Sequence, residues 1–344
     1  MMKWSPLLSA QRLGQKAPTR DQTRSAFEMD FDRIIFSHPF RRLQDKTQVH
    51  PLPEHDFVHT RLTHSLEVSS VGRSLGRKVG EVILQRHPPL AEMVSSHDFG
   101  TVVASASLAH DLGNPPFGHS GESGLSDYFL YGEGQRWKPF FTEPEWADLT
   151  RFEGNAQGFR ILNKRQYQGL RLTAATLGAF TKYPCPAHFP ARSKSLKSQK
   201  KFGFFQTECQ VFEEVADQLQ LIRRGEAWAR HPMAFLVEAA DDICYSIIDL
   251  EDGCRLGLVS LQDTIDLLAP IIGGDFKPEK LNQITGMDEK VGVLRALAIG
   301  KLIDDAVDLF LEQEQHILSG SFDQALTDSG RFAQPLSAIA SLSI

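Results

Sequence analysis

A histidine and an aspartate stand side by side at positions 110 and 111, in the run Ala-His-Asp-Leu-Gly-Asn-Pro-Pro-Phe-Gly-His over residues 109–119. Successive residues of a helix point about 100° apart, so two neighbours cannot serve one point from the middle of a regular helix. They can where a helix ends, and Gly113 with the Pro115-Pro116 pair supplies an ending. A chain that uses this pair must bring a helix terminus to a shared centre and draw further donors from elsewhere. Imidazole and carboxylate form a mixed N/O pair suited to borderline or hard divalent ions. His64 and Asp241 offer the further donors. Their spacing fits no zinc-finger pattern, so separate helices must converge, as they do in bundles with inward-facing ligands. Alone, His64 is an ordinary histidine on an amphipathic helix; the set of four carries the metal reading.

The periodicity is helical almost throughout. A helix is predicted over 26–49 with a break near Pro39. Another is predicted over 62–84, where Leu62, Leu66, Val71, Leu75, Val79, Val82 and Ile83 recur at helical steps. The 98–112 segment reads as a helix with Asp98 as N-cap. Helices are also predicted over 155–181, 207–224, 232–252 with Pro232 in its first turn, 261–272 and 289–318. Strand signals are weak, no glycine-rich nucleotide loop occurs, and no internal repeat is found. Residues 131–150 and 183–203 read as irregular. The second stretch carries Arg192, Lys194, Lys197, Lys200 and Lys201, either a solvated loop or a flap that attracts a polyanion.

At 344 residues, with 41% hydrophobic and 23% charged side chains, the chain can bury a sizeable core. A net charge of −6 argues against a globally basic nucleic-acid binder. Cys185, Cys209, Cys244 and Cys254 form no C-x-x-C pair and read as reduced, packed thiols of a cytoplasmic protein. No signal peptide and no membrane span are expected. The segment Glu-Ala-Ala-Asp-Asp-Ile-Cys-Tyr-Ser-Ile-Ile-Asp (238–249) places Asp241, Tyr245 and Asp249 on one face of an apolar helix. Buried carboxylates are costly unless paired, hydrogen-bonded or bound to a cation, which again points to an ion at Asp241.

Six ordered stretches resemble the bacterial dGTP triphosphohydrolase-like proteins of the HD-domain superfamily. They are Phe-Arg-Arg-Leu-Gln-Asp-Lys-Thr-Gln-Val (40–49), Thr-Arg-Leu-Thr-His-Ser-Leu-Glu-Val (60–68), the 109–122 run ending His-Ser-Gly-Glu, Phe-Glu-Gly-Asn-Ala-Gln (152–157), Gly-Leu-Arg-Leu-Thr (169–173) and the 238–253 helix. The resemblance covers roughly residues 20 to 320. It implies an all-α HD-domain bundle with additional helices and long irregular loops. It also implies one domain over 1–344, with a metal-binding core over about 58–253. The helical part over 254–344 is expected to be shorter than in the family.

The resemblance further implies one divalent ion per site (Mn, Mg, Fe, Co, Ni or Zn) held by His64, His110, Asp111 and Asp241. The implied reaction splits a deoxynucleoside triphosphate, dGTP or another, into deoxynucleoside and inorganic tripolyphosphate. His119 matches the family's catalytic histidine and Glu122 its orienting carboxylate. Arg61 matches the α-phosphate contact, Gln48 the reader of the sugar 3′-hydroxyl, and Tyr245 with Asp249 the pair against the deoxyribose, where the tyrosine excludes a 2′-hydroxyl. Asn155 and Gln157 fall in a matching substrate-binding motif, and Lys182 and the lysines of 194–201 are candidate triphosphate-tail binders. Asn114 departs from relatives that carry a further histidine there. A homo-oligomer and a dNTP or single-stranded DNA effector are implied partners. The alternatives are another HD-domain nucleotide phosphohydrolase and a nucleotide sensor or single-stranded DNA binder without turnover.

Overall fold

Helices carry almost all regular structure in the computed structural model, which describes residues 1–14, 23–48, 58–164, 169–193 and 195–342. In chain order they are α1 Trp4–Leu7, α2 Ala26–Ile35, α3 His38–Arg41, α4 Arg61–Arg86, α5 Ser96–Ala109, α6 Gly118–Leu130, α7 Glu143–Thr150, α8 Gly154–Asn163 and α9 Ala174–Phe180. They continue as α10 Cys209–Leu219, α11 Pro232–Arg255, α12 Leu261–Ile272, α13 Pro278–Asn282, α14 Met287–Glu312, α15 Glu314–Leu318, α16 Leu326–Ser329 and α17 Ala333–Ala340. Among the described residues the strands are a two-residue pair, Arg223–Arg224 against Ala227–Trp228. The all-α expectation holds.

The fold is organised around α5. Ser95 accepts from the Asp98 backbone, and the Asp98 carboxylate accepts from the Ser95 backbone in return. Ser95 is therefore the N-cap, and Asp98, expected there, is its capping-box partner three residues on. From Phe99 to Ala109 every residue is buried. Each of its larger apolar side chains contributes roughly 1.5–3 kcal/mol by leaving water.

Helix α4 packs closely along α5 because of small residues. A Cβ on Gly76 would lie 2.7 Å from the Phe99 carbonyl oxygen, and one on Gly80 2.8 Å from the Phe99 side chain. Glycine at these positions permits the approach. Val68, Val71, Leu75, Val79 and Ile83 complete the buried row, whereas Leu66, counted in it from the sequence, is 45% exposed. Helix α11 packs against α4, α5, α9 and α14. These contacts bring the beginning of α4, the end of α5 and the middle of α11 together.

Other boundaries differ from the periodicity. The 155–181 helix is divided into α8 and α9, and between them Gly169 and Arg171 take positive φ values of 52° and 48°. Gln220, at φ 53°, ends α10 before the strand pair. Ser37 caps α3, so the first break falls just before Pro39. The 289–318 helix is α14 followed by the separate α15. The 131–150 stretch is more regular than expected, with a 3-10 segment Glu133–Phe140 followed by α7. Cys185, Cys244 and Cys254 are buried, Cys209 is half-buried and all four are free, as expected. No helix among the described residues is long and apolar enough to cross a membrane.

Candidate metal centre and active site

Three helices deliver the four expected donors. Thr60 caps α4 and His64 follows in its first turn. His110 is the C-cap of α5, Asp111 follows in the terminal turn, and Asp241 comes from α11. One donor atom from each of His64, His110 and Asp111 lies within 4.8 Å of the other two. The Asp241 Oδ1 atom is 3.1 Å from His64 Nε2 and 3.4 Å from His110 Nε2.

The donor set fits a divalent cation. His110 Nδ1 is 2.6 Å from the Ser107 carbonyl oxygen. Its N–H therefore donates to the backbone, and Nε2 turns toward the carboxylates. This is the arrangement that orients a metal-binding imidazole. Burial alone would lower the His110 pKa, but the Asp111 and Asp241 carboxylates overcome it and raise it to about 9. Burial opposes ionisation of Asp111 and Asp241, yet the neighbouring imidazoles, with Arg61 beside Asp111, hold both carboxyls below their ordinary range.

The cluster opens into a cavity of about 690 Å³. Arg61 is buried on its wall and donates through Nη1 to Asp111 Oδ2 at 2.8 Å. Asn114 also lines the cavity, and its amide donates to Asp111 Oδ1. Gln48 reaches in with a buried Oε1 that has no hydrogen-bond partner among the described residues. Tyr245, half exposed, and Asn155 also line the cavity, whereas Gln157 and Asp249 do not. Asp249 lies one turn beyond Tyr245, and burial with the Asp252 charge lifts its pKa to about 7.

His119 and Glu122 stand on α6, which begins at a turn where Phe117, its N-cap, and Gly118, its first residue, both have positive φ. Glu122 Oε1 accepts from the Gly154 backbone at 2.7 Å, and its Oε2 is 4.0 Å from His119 Nε2. The Lys201 ammonium lies 3.1 Å from His119 Nε2, nearer than Glu122, and is also 3.2 Å from Glu153 and 3.7 Å from Glu122. The basic stretch is thus not simply a solvated loop. Lys201 and Lys182 line the cavity, Lys197 pairs with Glu238 and Asp328, and Phe202, Phe204 and Phe205 are buried. Lys194 lies outside the described residues. Sequence reasoning passed over Glu153, Tyr183 and the anchoring role of Glu238, which holds Lys182 at 3.3 Å. Glu238 is far from the basic run in sequence and meets Lys182 and Lys197 only in the fold, so no local signal could have found it.

The HD domain family matches residues 61–142. A deoxyguanosinetriphosphate triphosphohydrolase-like protein of Synechocystis is 46% identical over 98% of this chain and 78% of its own. The chain belongs to the deoxyguanosinetriphosphate triphosphohydrolase-like family. One of the same description from Pseudomonas aeruginosa is 45% identical over 93% of this chain and 73% of its own. A deoxyguanosinetriphosphate triphosphohydrolase of Yersinia pseudotuberculosis is 32% identical over 89% and 68%. The HD match contains His64, His110, Asp111, His119 and Glu122, while Asp241 lies beyond it on α11.

Proposed function

We propose that this chain hydrolyses deoxynucleoside triphosphates to deoxynucleoside and inorganic tripolyphosphate, using a divalent ion held by His64, His110, Asp111 and Asp241. The observation that carries this reading is the shared cavity. The donor cluster, the cationic Arg61, Lys182 and Lys201, and the polar Gln48 and Tyr245 all line it. A bound divalent ion supplies charge that polarises a phosphate and lowers the pKa of a water.

The chain's own residues supply the rest. Arg61 holds α-phosphate oxygens through its planar guanidinium. Lys182 and Lys201 balance the tail. Gln48 meets the 3′-hydroxyl with its free acceptor, and Tyr245, with Asp249 behind it, packs against the deoxyribose. Asn155 lines the substrate path. Water adds to the α-phosphorus, the bond to the 5′ oxygen breaks, and the leaving oxygen takes a proton. His119 Nε2 carries that proton. Glu122, tied to the Gly154 backbone, stands where it can steady the imidazole. Lys201 then moves from His119 toward the phosphates as the negative tail arrives.

The test is product separation after incubation with each of four dNTPs and GTP, in Mn or Mg. Deoxynucleoside and tripolyphosphate from dNTPs, with GTP spared, is the expected result. dGDP or dGMP would instead indicate another HD-domain phosphohydrolase, and binding without product would indicate a sensor.

A further inference from the structure

Beside the cavity, outside its lining, His59 is clamped between two acids. Its Nδ1 is 2.8 Å from Asp252 Oδ2 on α11, and its Nε2 is 3.2 Å from Glu67 Oε1 on α4. A neutral imidazole has a single N–H. A ring with a carboxylate at each nitrogen is therefore best satisfied as the cation, donating to both. Burial opposes that charge, but Asp252 and Glu67 raise the His59 pKa to about 10. The Asp252 carboxylate also accepts from the His59 backbone N–H at 3.3 Å, so it anchors the residue twice.

The backbone of His59 leads to Gln48. The stretch 46–48 runs antiparallel to 59–61, with Thr47 opposite Thr60. Two backbone bonds join them: Gln48 N–H to the His59 carbonyl at 3.3 Å and Arg61 N–H to the Lys46 carbonyl at 2.9 Å. On α11, Asp252 and Tyr245 are seven residues apart, which puts them on one face about 10 Å apart along the axis. Glu67 is three residues beyond His64, one turn along α4. His59 therefore ties together the segment that carries Gln48, the helix that carries Tyr245 and the helix that carries His64.

We propose that His59 is a positioning residue for the sugar end of the cavity: its bridge from Asp252 to Glu67 fixes the 46–48 stretch and so sets Gln48 opposite Tyr245. This inference rests on the reading in which Gln48 and Tyr245 meet the sugar. His59 acts through these two and touches no substrate. A chain lacking the bridge keeps its metal donors, whose positions derive from α5 and from other turns of α4 and α11.

The experiment compares the wild-type chain, His59→Ala and Asp252→Asn. Removal of the imidazole leaves the buried Asp252 and the partly buried Glu67 without their cation, which is destabilising. Asp252→Asn removes one such charge and keeps a carbonyl acceptor, so it provides the milder variant. Amide hydrogen exchange is followed at 46–48 and along α5, with Mn²⁺ affinity, kcat and KM for dGTP, and the dGTP-over-GTP ratio. In His59→Ala, exchange at 46–48 should rise about tenfold, the effect of losing one hydrogen-bonded anchor. The KM for dGTP should rise by a similar factor, kcat should change less, and the dGTP-over-GTP ratio should narrow. Exchange in α5 and Mn²⁺ affinity should stay at wild-type values, and Asp252→Asn should move every parameter in the same direction by less. Unchanged exchange at 46–48, or loss of Mn²⁺ affinity together with faster exchange in α5, would overturn the proposal. Failure of wild type to cleave any dNTP would overturn the functional reading instead, and amide exchange would still decide the clamp.

Discussion

Helices α5 and α6 are consecutive, yet α5 is buried without interruption from Phe99 to Ala109, while α6 contains no buried residue. The first ends in His110 and Asp111. The second carries His119, whose side chain is 85% exposed. What fastens α6 is a small number of directed contacts. The Phe152 backbone donates to Ser126 at 3.0 Å, the Gly154 backbone donates to Glu122, and Phe129 meets Trp146 edge-on at 6.0 Å. The end of the cavity proposed to hold the ion is thus built on the hydrophobic core, and the end proposed to handle the proton is a lightly held attachment. Ligand geometry must be constant, whereas a group that transfers a proton must also let substrate in. The two ends should therefore fail independently.

The largest effect is expected at the buried end. His64→Ala or Asp241→Ala should abolish both Mn²⁺ binding and turnover, measured by metal content and tripolyphosphate release. Retained metal would show that the remaining donors suffice. Next, His119→Ala should lower kcat by roughly 10²–10⁴-fold. Its metal content and thermal midpoint should not change, because an exposed side chain contributes little to stability. Loss of metal in this variant would erase the distinction between the two ends.

A third change sharpens the comparison from within the core. Gly76→Val should cost about 1–3 kcal/mol by overpacking the α4–α5 contact, read as a lower denaturation midpoint, with metal affinity falling as the helices separate. An equally large substitution at Gly124 on α6, where an added Cβ meets nothing within 4 Å, should cost far less. A smaller effect is expected at Tyr245→Ala, which should narrow deoxy-over-ribo selectivity by about tenfold. Unchanged discrimination would remove Tyr245 from the sugar pocket.

The smallest effect concerns the support of α6. Asp148 on α7 accepts from the Gln206 backbone at 2.7 Å, and burial raises its pKa from 3.8 to about 7. Between those values the folded chain holds a proton that the unfolded chain has released. Stability therefore falls as pH rises through that window. Asp148→Asn should flatten the dependence of the melting temperature on pH between 4 and 7, with activity retained. An unaltered slope would mean that Asp148 is ionised in the fold.

Much of the buried end was legible in the sequence, because it depends on local signals. The His-Asp pair before Gly113 and two prolines, the helical periodicity around His64 and the acidic residues on the α11 stripe each have a local cause. The cap at Ser95 was misplaced by three residues because Ser95 and Asp98 are both residues that cap helices, and a capping box sets them three apart. The division of 155–181 was hidden because its apolar residues keep helical spacing across a left-handed turn at Gly169 and Arg171. At the exposed end, the proximity of Lys201 to His119 arises from two segments far apart in sequence, and nothing in the basic run shows that buried phenylalanines pin it down. The His59 clamp was invisible for the same reason: its two acids lie on different helices.

The most direct measurement is hydrolysis of dGTP in ¹⁸O-water with Mn²⁺, followed by the mass of each product. Attack at the α-phosphorus predicts one labelled oxygen in tripolyphosphate and none in deoxyguanosine. Label in the deoxyguanosine hydroxyl, or label only in pyrophosphate or orthophosphate, would contradict it.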